Sequence, residues 1–251
     1  MRVISYNLRK HRAVGELVAL VQRHDPDMLC LQECDTLELP AEVGPLHLAD
    51  STKRNRLGLA LYYRRDRFTA VKTQAFELKK SLHDRVLTPA HERLLGTRLL
   101  DTEADRELIV ASFHAAPLTA LNSLRRNQIR AALRQLHALA PGVPTLMVGD
   151  YNYPWFTERL GARMKVFGYD LTLSDSTTYT RYKYFRGHFD LATSTGLVID
   201  NIVTLPRGIS DHMPILVTAD YGEGEAARFN RGAAVEANKV EVDASVQDFT
   251  I

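Results

Sequence analysis

Short apolar runs recur along the chain, and six of them end in polar residues of the kinds that bind metals or transfer protons. The runs are rich in Val, Ile, Leu or Phe, as at residues 28–31 and 145–148, which is typical of β-strands. The polar endings are Ser5-Tyr6-Asn7, Leu31-Gln32-Glu33, Ser112-Phe113-His114, Gly149-Asp150-Tyr151-Asn152, His188-Phe189-Asp190 and Ser210-Asp211-His212. Because a sheet holds its strand ends at fixed spacing, we expect these groups to gather at one edge. Together they would suit a hard cation and a phosphate.

Apolar spacing also predicts helices and further strands. One helix is expected over residues 11–24, ending before Pro26, and a second over residues 121–138, closed by Pro141-Gly142. Strands are predicted at residues 57–63, 69–76, 94–100, 107–113, 197–203 and 215–219. Many strands with few helices leave the α/β and α+β classes both open.

Length and composition indicate one large domain followed by a tail. The chain has 251 residues, of which 45% are hydrophobic, enough for a substantial single core. Residues 221–251 contain few large apolar side chains and predict a flexible tail, so we place the catalytic domain at residues 1–220. The net charge is +2, and the acidic tail leaves the domain mildly basic. That charge suits a phosphate-bearing substrate without indicating nucleic acid by itself.

The two cysteines and the N-terminus bear on the cellular location. Cys30 and Cys34 form half of a zinc-site spacing, but no second Cys/His pair accompanies them, so reduced cysteines are favoured over a zinc hydrolase. A strand begins at once at Arg2, which leaves no room for a signal peptide. No run approaches the ~18 apolar residues of a spanning helix. We therefore expect a cytoplasmic protein, and a monomer.

The order and spacing of the six motifs resembles the metal-dependent endonuclease/exonuclease/phosphatase superfamily over roughly residues 1–220. That superfamily includes deoxyribonuclease I, exonuclease III-like AP endonucleases, neutral sphingomyelinases and inositol-polyphosphate 5-phosphatases. The shared pattern is Asn then Glu near the N-terminus, a mid-chain His, Gly-Asp-x-Asn after an apolar strand, then Asp, then Ser-Asp-His. The resemblance implies a hydrolase with an α/β (α+β) fold: a four-layer sandwich of two packed, mostly antiparallel β-sheets flanked by helices, with the catalytic groups at one end.

The resemblance also implies a metal centre. Glu33 and Asp211 match the positions of metal ligands, and Asn7 would add a carboxamide oxygen or a phosphate contact. A hard cation such as Mg²⁺ needs only one or two protein carboxylates together with the substrate phosphate. We therefore expect Mg²⁺, with Mn²⁺ as a substitute.

Catalytic roles follow from the same resemblance. Asp150 would orient or deprotonate the attacking water, while Asn152 would hold a phosphate oxygen. Asp190 would fix the tautomer of His212 and raise its basicity. His114 would contact the phosphate and protonate the leaving oxygen. Whether Asp150 or His212 is the general base stays open, and Tyr151, between two site residues, is expected to point into packing.

The substrate is less well defined by the sequence. Arg9 stands where AP endonucleases carry an acidic ligand, and it could bind a phosphate as a planar fork. Arg181, Lys183 and Arg186 alternate with aromatic residues, as in a loop that binds nucleic acid or in an amphipathic strand. A phosphodiester in nucleic acid is the favoured substrate. A phospholipid head group or an inositol phosphate is the alternative, and a non-catalytic binding module is less favoured because the catalytic set is complete.

Overall fold

The computed structural model describes residues 1–81, 90–180 and 187–222. Its α-helices are α1 (Leu17–His24), preceded by a 3₁₀ turn (Val14–Glu16), α2 (Asn122–Leu139) and α3 (Thr157–Val166). Its strands are β1 (Arg2–Asn7), β2 (Met28–Cys34), β3 (Glu42–Val43), β4 (Leu46–Ser51), β5 (Gly58–Arg64), β6 (Phe68–Glu77), β7 (Glu92–Asp101), β8 (Arg106–His114), β9 (Thr145–Asp150), β10 (Asp170–Leu173), β11 (Asp190–Thr195), β12 (Leu197–Thr204) and β13 (Ile215–Tyr221).

The strands form two sheets. One has the order β12-β13-β1-β2-β5-β4-β3, and the other has the order β10-β11-β9-β8-β7-β6. Only the pairs β1–β2 and β8–β9 are parallel; the other described pairs are antiparallel. This arrangement confirms the mostly antiparallel two-sheet fold that the family resemblance implied.

Three apolar cores give the fold its four layers. The central core lies between the sheets and contains Val3, Cys30, Val110 and Val148. An outer core packs α1 against the first sheet, with Leu17 and Val21 buried. The other outer core packs α2 and α3 against the second sheet. Strands buried on both faces explain why β2, β5 and β9 are near-continuous apolar runs in the sequence.

The two parallel pairs bring the functional strand ends together. β1 and β2 end at Asn7 and Cys34, and β8 and β9 end at His114 and Asp150. Because the members of each pair run the same way, their carboxyl ends share one edge of a sheet. A hydrogen bond from Asn7 to Asp150, described below, joins these two edges at one end of the sandwich.

Gly149 is required by the close approach of β8 and β9. Its φ is 148°, and a Cβ there would lie 1.9 Å from the carbonyl oxygen of Phe113. Only glycine avoids that clash. The glycine of the Gly-Asp-x-Asn motif therefore lets Asp150 reach the strand end beside His114.

Both predicted helices are present, although the first begins with a 3₁₀ turn. The predicted strands also form, within one or two residues of their expected bounds. Five elements were not predicted from the sequence: α3 and the strands β3, β4, β10 and β11. In α3 only Leu160 and Met164 are buried, so its apolar period is too weak to recognise.

Two further predictions, the C-terminal tail and the basic segment at residues 181–186, fall wholly or partly outside the described residues. β13 includes Tyr221, the first residue that we assigned to the tail, and residues 223–251 lie outside the described part. Residues 181–186, which include Arg181, Lys183 and Arg186, also lie outside it. None of the described helices is long and apolar enough to cross a membrane.

Candidate active site

Asp150 is the centre of the polar cluster at the joined sheet edges. Its side chain is almost fully buried, and its Oδ1 accepts a hydrogen bond from the backbone N–H of Asn152 at 2.9 Å. Its Oδ2 accepts one from Nδ2 of Asn7 at 3.1 Å. The same oxygen lies 3.6 Å from Nε2 of His114 and 3.7 Å from Nε2 of His212. Four of the six sequence motifs thus meet at one carboxylate.

Asp190 and His212 form a hydrogen-bonded pair beside it. Nδ1 of His212 lies 2.9 Å from Oδ2 of Asp190, and both side chains are buried. A carboxylate on Nδ1 holds the ring in one orientation and leaves Nε2 for the reacting groups. The structure therefore brings together the two residues that the sequence paired, and Nε2 faces Asp150.

The pKa values of Asp150 and His212 are both raised within the cluster. Burial raises the pKa of Asp150, and the neighbouring charge of His212 opposes that rise only in part. Burial alone would lower the pKa of His212, but the carboxylates of Asp190 and Asp150 outweigh it and raise that pKa. The two carboxylates thereby favour the imidazolium form of His212, while Asp150 gains affinity for a proton.

Glu33 is placed by an irregular stretch of backbone. The β2–β5 register shifts between Leu31 and Cys34, and Glu33 has a φ of 53°. One of its carboxylate oxygens accepts a hydrogen bond from the backbone N–H of Lys10 at 2.8 Å. Bulges of this kind re-aim a side chain near active sites.

The loop after β1 is strained around the same carboxylate. Arg9, Lys10 and His11 all have positive φ values, between 48° and 67°. Non-glycine residues in this region each cost about 1–2 kcal/mol. His11 donates its backbone N–H to the carbonyl of Glu33 at 2.8 Å, so the strained loop and the bulge hold each other. Such strain is found at functional sites.

Asp211 and Arg9 lie next to each other. Nε of Arg9 is 3.7 Å from Oδ2 of Asp211, and its Nη1 donates to the carbonyl of Ile209. The Arg9 side chain is about one-third exposed, so its guanidinium is accessible to solvent beside Asp211. The backbone N–H of Arg9 donates to Oδ1 of Asn7 at 3.0 Å, which fixes that carboxamide.

Asn152 and Tyr151 diverge after β9. Asn152 has a φ of 48° and lies beside Ala115, whose carbonyl is 3.4 Å from Nδ2. Tyr151 points into the outer core and is fully buried, with its hydroxyl at the Met147 carbonyl and the Thr193 hydroxyl. The expected packing role of Tyr151 is confirmed.

Comparison with known proteins assigns this arrangement to a family. The sequence model of the endonuclease/exonuclease/phosphatase family matches residues 4–212. The chain belongs to that family. Members of that family are hydrolases of the phosphoesterase and nuclease type.

The individual proteins that resemble this chain share low sequence identity with it. Protein angel of Drosophila melanogaster is 27% identical over 164 residues, which cover 59% of this chain and 44% of that protein. The chain thus spans less than half the length of this relative. Two solved structures share the fold at low identity. The structure of D. rerio TDP2 in complex with single-strand DNA product has a TM-score of 0.67 at 16% identity, covering 88% of this chain and 98% of that one. The structure of ANGEL2, a 2′,3′-cyclic phosphatase, with adenosine-2′,3′-vanadate has a TM-score of 0.67 at 15% identity, covering 87% and 94%.

The family is metal-dependent, and the donor set fits a cation. In the described part of the chain, one group of three metal-ligating side chains has its ligand atoms within 4.8 Å of one another: Asp150, Asp190 and His212. Oδ1 of Asp190 is buried without a hydrogen-bond partner. Glu33 and Asp211 are not part of this group of three, and their assignment as ligands stays a prediction. Carboxylate and carboxamide oxygens predominate in the cluster, which favours a hard cation.

Several residues that hold the site were not assigned a role from the sequence. The hydroxyl of Ser210 donates to the carbonyl of Asn7 at 2.6 Å and accepts the N–H of His212 at 3.1 Å. The hydroxyl of Thr178 accepts the backbone N–H groups of Phe189 and Asp190, both at 3.1 Å. Ser210 lies inside the Ser-Asp-His motif and could have been noticed. Thr178 could not have been identified from the residues around it in the sequence, because its contact with Asp190 exists only in the folded chain.

Other polar strand-end residues are structural. Ser5, Gln32 and Ser112 are fully buried, and Nε2 of Gln32 donates to the Ser112 hydroxyl at 2.9 Å. They form a polar link between the two sheets. Cys30 packs between the sheets and Cys34 in the outer core below α1, and burial raises the pKa of both thiols. Two protonated thiols in different cores do not make a zinc half-site.

Proposed function

We propose that the chain hydrolyses phosphodiester bonds in nucleic acid, with Mg²⁺ as its cofactor and Mn²⁺ as a substitute. The observation that carries this proposal is the convergence on Asp150 of two imidazoles and a carboxamide, with the Asp190–His212 pair behind them. These are the groups needed to position a phosphoryl group, move a proton and offset developing charge.

The identity of the metal and the residues that bind it are also part of this proposal. Glu33 and Asp211 are proposed as its ligands with Asn7, because they match the positions of the family's metal ligands. Both carboxylates also contact the loop that follows Asn7, Glu33 at the N–H of Lys10 and Asp211 at the side chain of Arg9. A bound Mg²⁺ would neutralise charge on the phosphoryl oxygens.

The chain's own residues supply the proton chemistry. Asp150 is proposed as the base that takes a proton from the attacking water, since its pKa is raised and its Oδ2 faces both imidazoles. His212, held as an imidazolium by Asp190, offsets negative charge on the phosphoryl group. His114, whose Nε2 also lies close to Oδ2 of Asp150, is proposed to protonate the leaving oxygen. Asn7 and Asn152 orient the group for in-line attack.

Two kinds of observation support the preference for nucleic acid. The fold is shared with D. rerio TDP2, whose structure contains single-strand DNA product, and with ANGEL2, whose structure contains an adenosine vanadate. The cation at Arg9 and the mildly basic domain are compatible with a polyanionic substrate. A phospholipid head group and an inositol phosphate remain the competing substrates.

A substrate panel tests the proposal. Purified protein would be assayed with Mg²⁺, with Mn²⁺ and with excess EDTA on single-stranded DNA, RNA, adenosine 2′,3′-cyclic phosphate, sphingomyelin vesicles and inositol polyphosphates. We expect cleavage of an oligonucleotide with either metal and none with EDTA. Selective hydrolysis of a lipid or inositol phosphate would overturn the nucleic-acid proposal. A folded wild type inactive on every substrate would favour a binding module.

A further inference from the structure

A surface pocket lies between α2 and α3, beside the loop that follows Asp150. Its volume is about 250 Å³, and its walls include three arginines, Arg126, Arg159 and Arg163, together with Tyr153 and Phe156. Arg126 comes from the second turn of α2, and the other two arginines lie one turn apart on α3. Three guanidinium groups around one concave surface select for an anion.

The positive charge of this pocket is not neutralised within the described part of the chain. There, no carboxylate lies within 4.0 Å of Arg126, Arg159 or Arg163, whereas Arg67 and Arg98 each have a carboxylate partner. The contacts that the pocket arginines do make are with neutral groups. Nη1 of Arg126 donates to the hydroxyl of Tyr153 at 3.2 Å, and Arg159 lies 5.7 Å from the centre of the Phe156 ring. Like charges one turn apart on a helix oppose its stability, so a bound anion would stabilise this surface.

The topology places the pocket at the same end of the sandwich as the catalytic cluster. β8 and β9 are parallel and end side by side at His114 and Asp150. α2 follows β8, α3 follows β9, and both helices start from this end and run back along the sheet. The pocket is lined by the first two turns of both helices, and its Tyr153 directly follows Asn152 of the site. A substrate that extends past Asn152 would meet it.

Exposed aromatic rings border the same loop. The side chain of Phe156 is 59% exposed and that of Trp155 is 47% exposed, so neither is a core residue. Phe156 has a φ of 60°, an unfavourable conformation for an aromatic residue. Cations with exposed rings are the combination that binds single strands, since every base has a face that can stack.

We propose that this pocket binds a phosphate of a single-stranded nucleic acid other than the phosphate that is hydrolysed, with Phe156 stacking on a neighbouring base. The inference rests on the proposed function, because it assigns the pocket to the same substrate. It makes Arg126, Arg159 and Arg163 determinants of affinity for the strand and identifies the substrate as an extended polyanion.

Binding without catalysis tests the inference. A fluorescein-labelled single-stranded DNA 12-mer would be titrated with protein in excess EDTA, at several salt concentrations, and followed by fluorescence anisotropy. The pocket variant is Arg126→Gln/Arg159→Gln/Arg163→Gln. We expect about tenfold weaker binding at low salt and a log–log salt slope reduced by about 0.7 for each phosphate that the variant no longer binds. Arg163→Gln alone, at an exposed position, should show a smaller loss in the same direction, so the test does not depend on the triple variant folding.

A charge-matched control separates the pocket from general surface charge. Arg23, Lys72 and Arg106 are exposed and lie away from the pocket, on α1, on edge strand β6 and at the start of β8. Their triple change to Gln should leave binding and salt slope close to those of the wild type. An equal loss in this control, or wild-type affinity in the pocket variant, would overturn the proposal.

Two further results keep this inference distinct from the proposed function. Hydrolysis of bis-p-nitrophenyl phosphate by the wild type with Mg²⁺ reports the catalytic chemistry alone. If that activity is present and the wild type shows no salt-dependent oligonucleotide binding, the pocket inference fails and the phosphoesterase proposal stands. In the second result, tripolyphosphate binds the wild type and not the pocket variant while the oligonucleotide binds both alike. That result would assign the pocket to a small phosphate compound and refute its role in binding single-stranded nucleic acid.

Discussion

Nδ1 of His212 lies 2.9 Å from Oδ2 of Asp190, although the two residues are 22 positions apart in the sequence. β11 carries Asp190 to the strand end beside Asp150, and the Ser210 hydroxyl fixes the backbone of His212. The ring is also packed against Tyr179, with ring centroids 5.0 Å apart. His212 therefore has one orientation, with Nε2 toward Asp150, which makes Asp190 and His212 a single functional unit.

Because they act as one unit, their substitutions should not be additive. His212→Ala and Asp190→Asn are each expected to lower kcat by roughly 10² or more. The double variant should be little worse than either single variant. A double-mutant cycle on kcat, with melting temperatures to establish folding, measures the coupling. Asp170→Asn, at an exposed position on the neighbouring β10, is the control and should keep full activity. Losses that multiply would refute the pairing.

Substitution of Glu33 should separate metal dependence from folding. Glu33→Gln keeps an oxygen that can accept the Lys10 N–H, but it removes the charge proposed to bind Mg²⁺. We expect activity at saturating metal to fall at least tenfold and the Mg²⁺ requirement to rise, with a small change in melting temperature. A Mg²⁺ titration of activity provides the measurement. Glu38→Gln, at an exposed carboxylate nearby, should behave as the wild type. Wild-type activity that survives exhaustive chelation would disprove the metal assignment.

Glu16 is expected to position the Ser-Asp-His loop from outside the site. One oxygen of Glu16 accepts the N–H of Ile209 at 2.7 Å, and the other accepts the hydroxyl of Tyr6 at 2.8 Å. Glu16→Ala should therefore lower kcat by about tenfold to a hundredfold with a smaller change in KM, because loose positioning costs rate. Glu16→Gln retains an acceptor for Ile209 and should recover most of the loss. Equal loss in both variants would show that the charge of Glu16, rather than its hydrogen bonds, matters.

The sequence predicts those parts of the fold that depend on local periodicity. α2 was found because its buried residues recur at helical spacing, and the long strands β7 and β8 because they contain near-continuous buried runs. α3 and β10 were missed because few of their residues are buried. The pairing of sheets into a sandwich came from the family resemblance and not from periodicity, which says nothing about which strands meet.

The site shows the same division between local and distant information. Asn7, His114 and Asp150 end strands as expected, whereas Asp190 begins β11 and His212 lies between β12 and β13, so the expected strand ending was wrong for those two. The structure nevertheless brings all five together. Strand ends alone could not separate these from Gln32 and Ser112, which close a link between the sheets. That distinction depends on which face of the strand packs against the other sheet. A shift of one residue along the strand places a side chain on the opposite face.

Asp101 ties the two sheets together at the end remote from the site. Its side chain is fully buried and accepts hydrogen bonds from Nε and Nη2 of Arg67, at 3.2 and 3.0 Å. The hydroxyl of Tyr221, at the end of β13 in the other sheet, also donates to it at 3.1 Å. Burial alone would raise the pKa of Asp101, but the hydrogen bonds and charge of Arg67 outweigh it, so that pKa is lowered.

Asp101→Asn should therefore destabilise the protein in a pH-dependent way while leaving the chemistry intact. Since the pKa in the folded state lies below its unfolded value, near ~3.9, the ionised side chain stabilises the fold above that pH, and this stability is lost as the pH falls through the folded pKa. At pH 7 we expect a loss of about 3 kcal/mol in the free energy of unfolding, the usual result of breaking a buried pair. Urea denaturation at neutral and acidic pH should show the gap between variant and wild type narrowing in acid. Glu103→Gln removes an exposed partner of the same arginine and should cost under about 1 kcal/mol. A gap that is constant with pH would mean that the lost hydrogen bonds, and not the charge of Asp101, account for the effect.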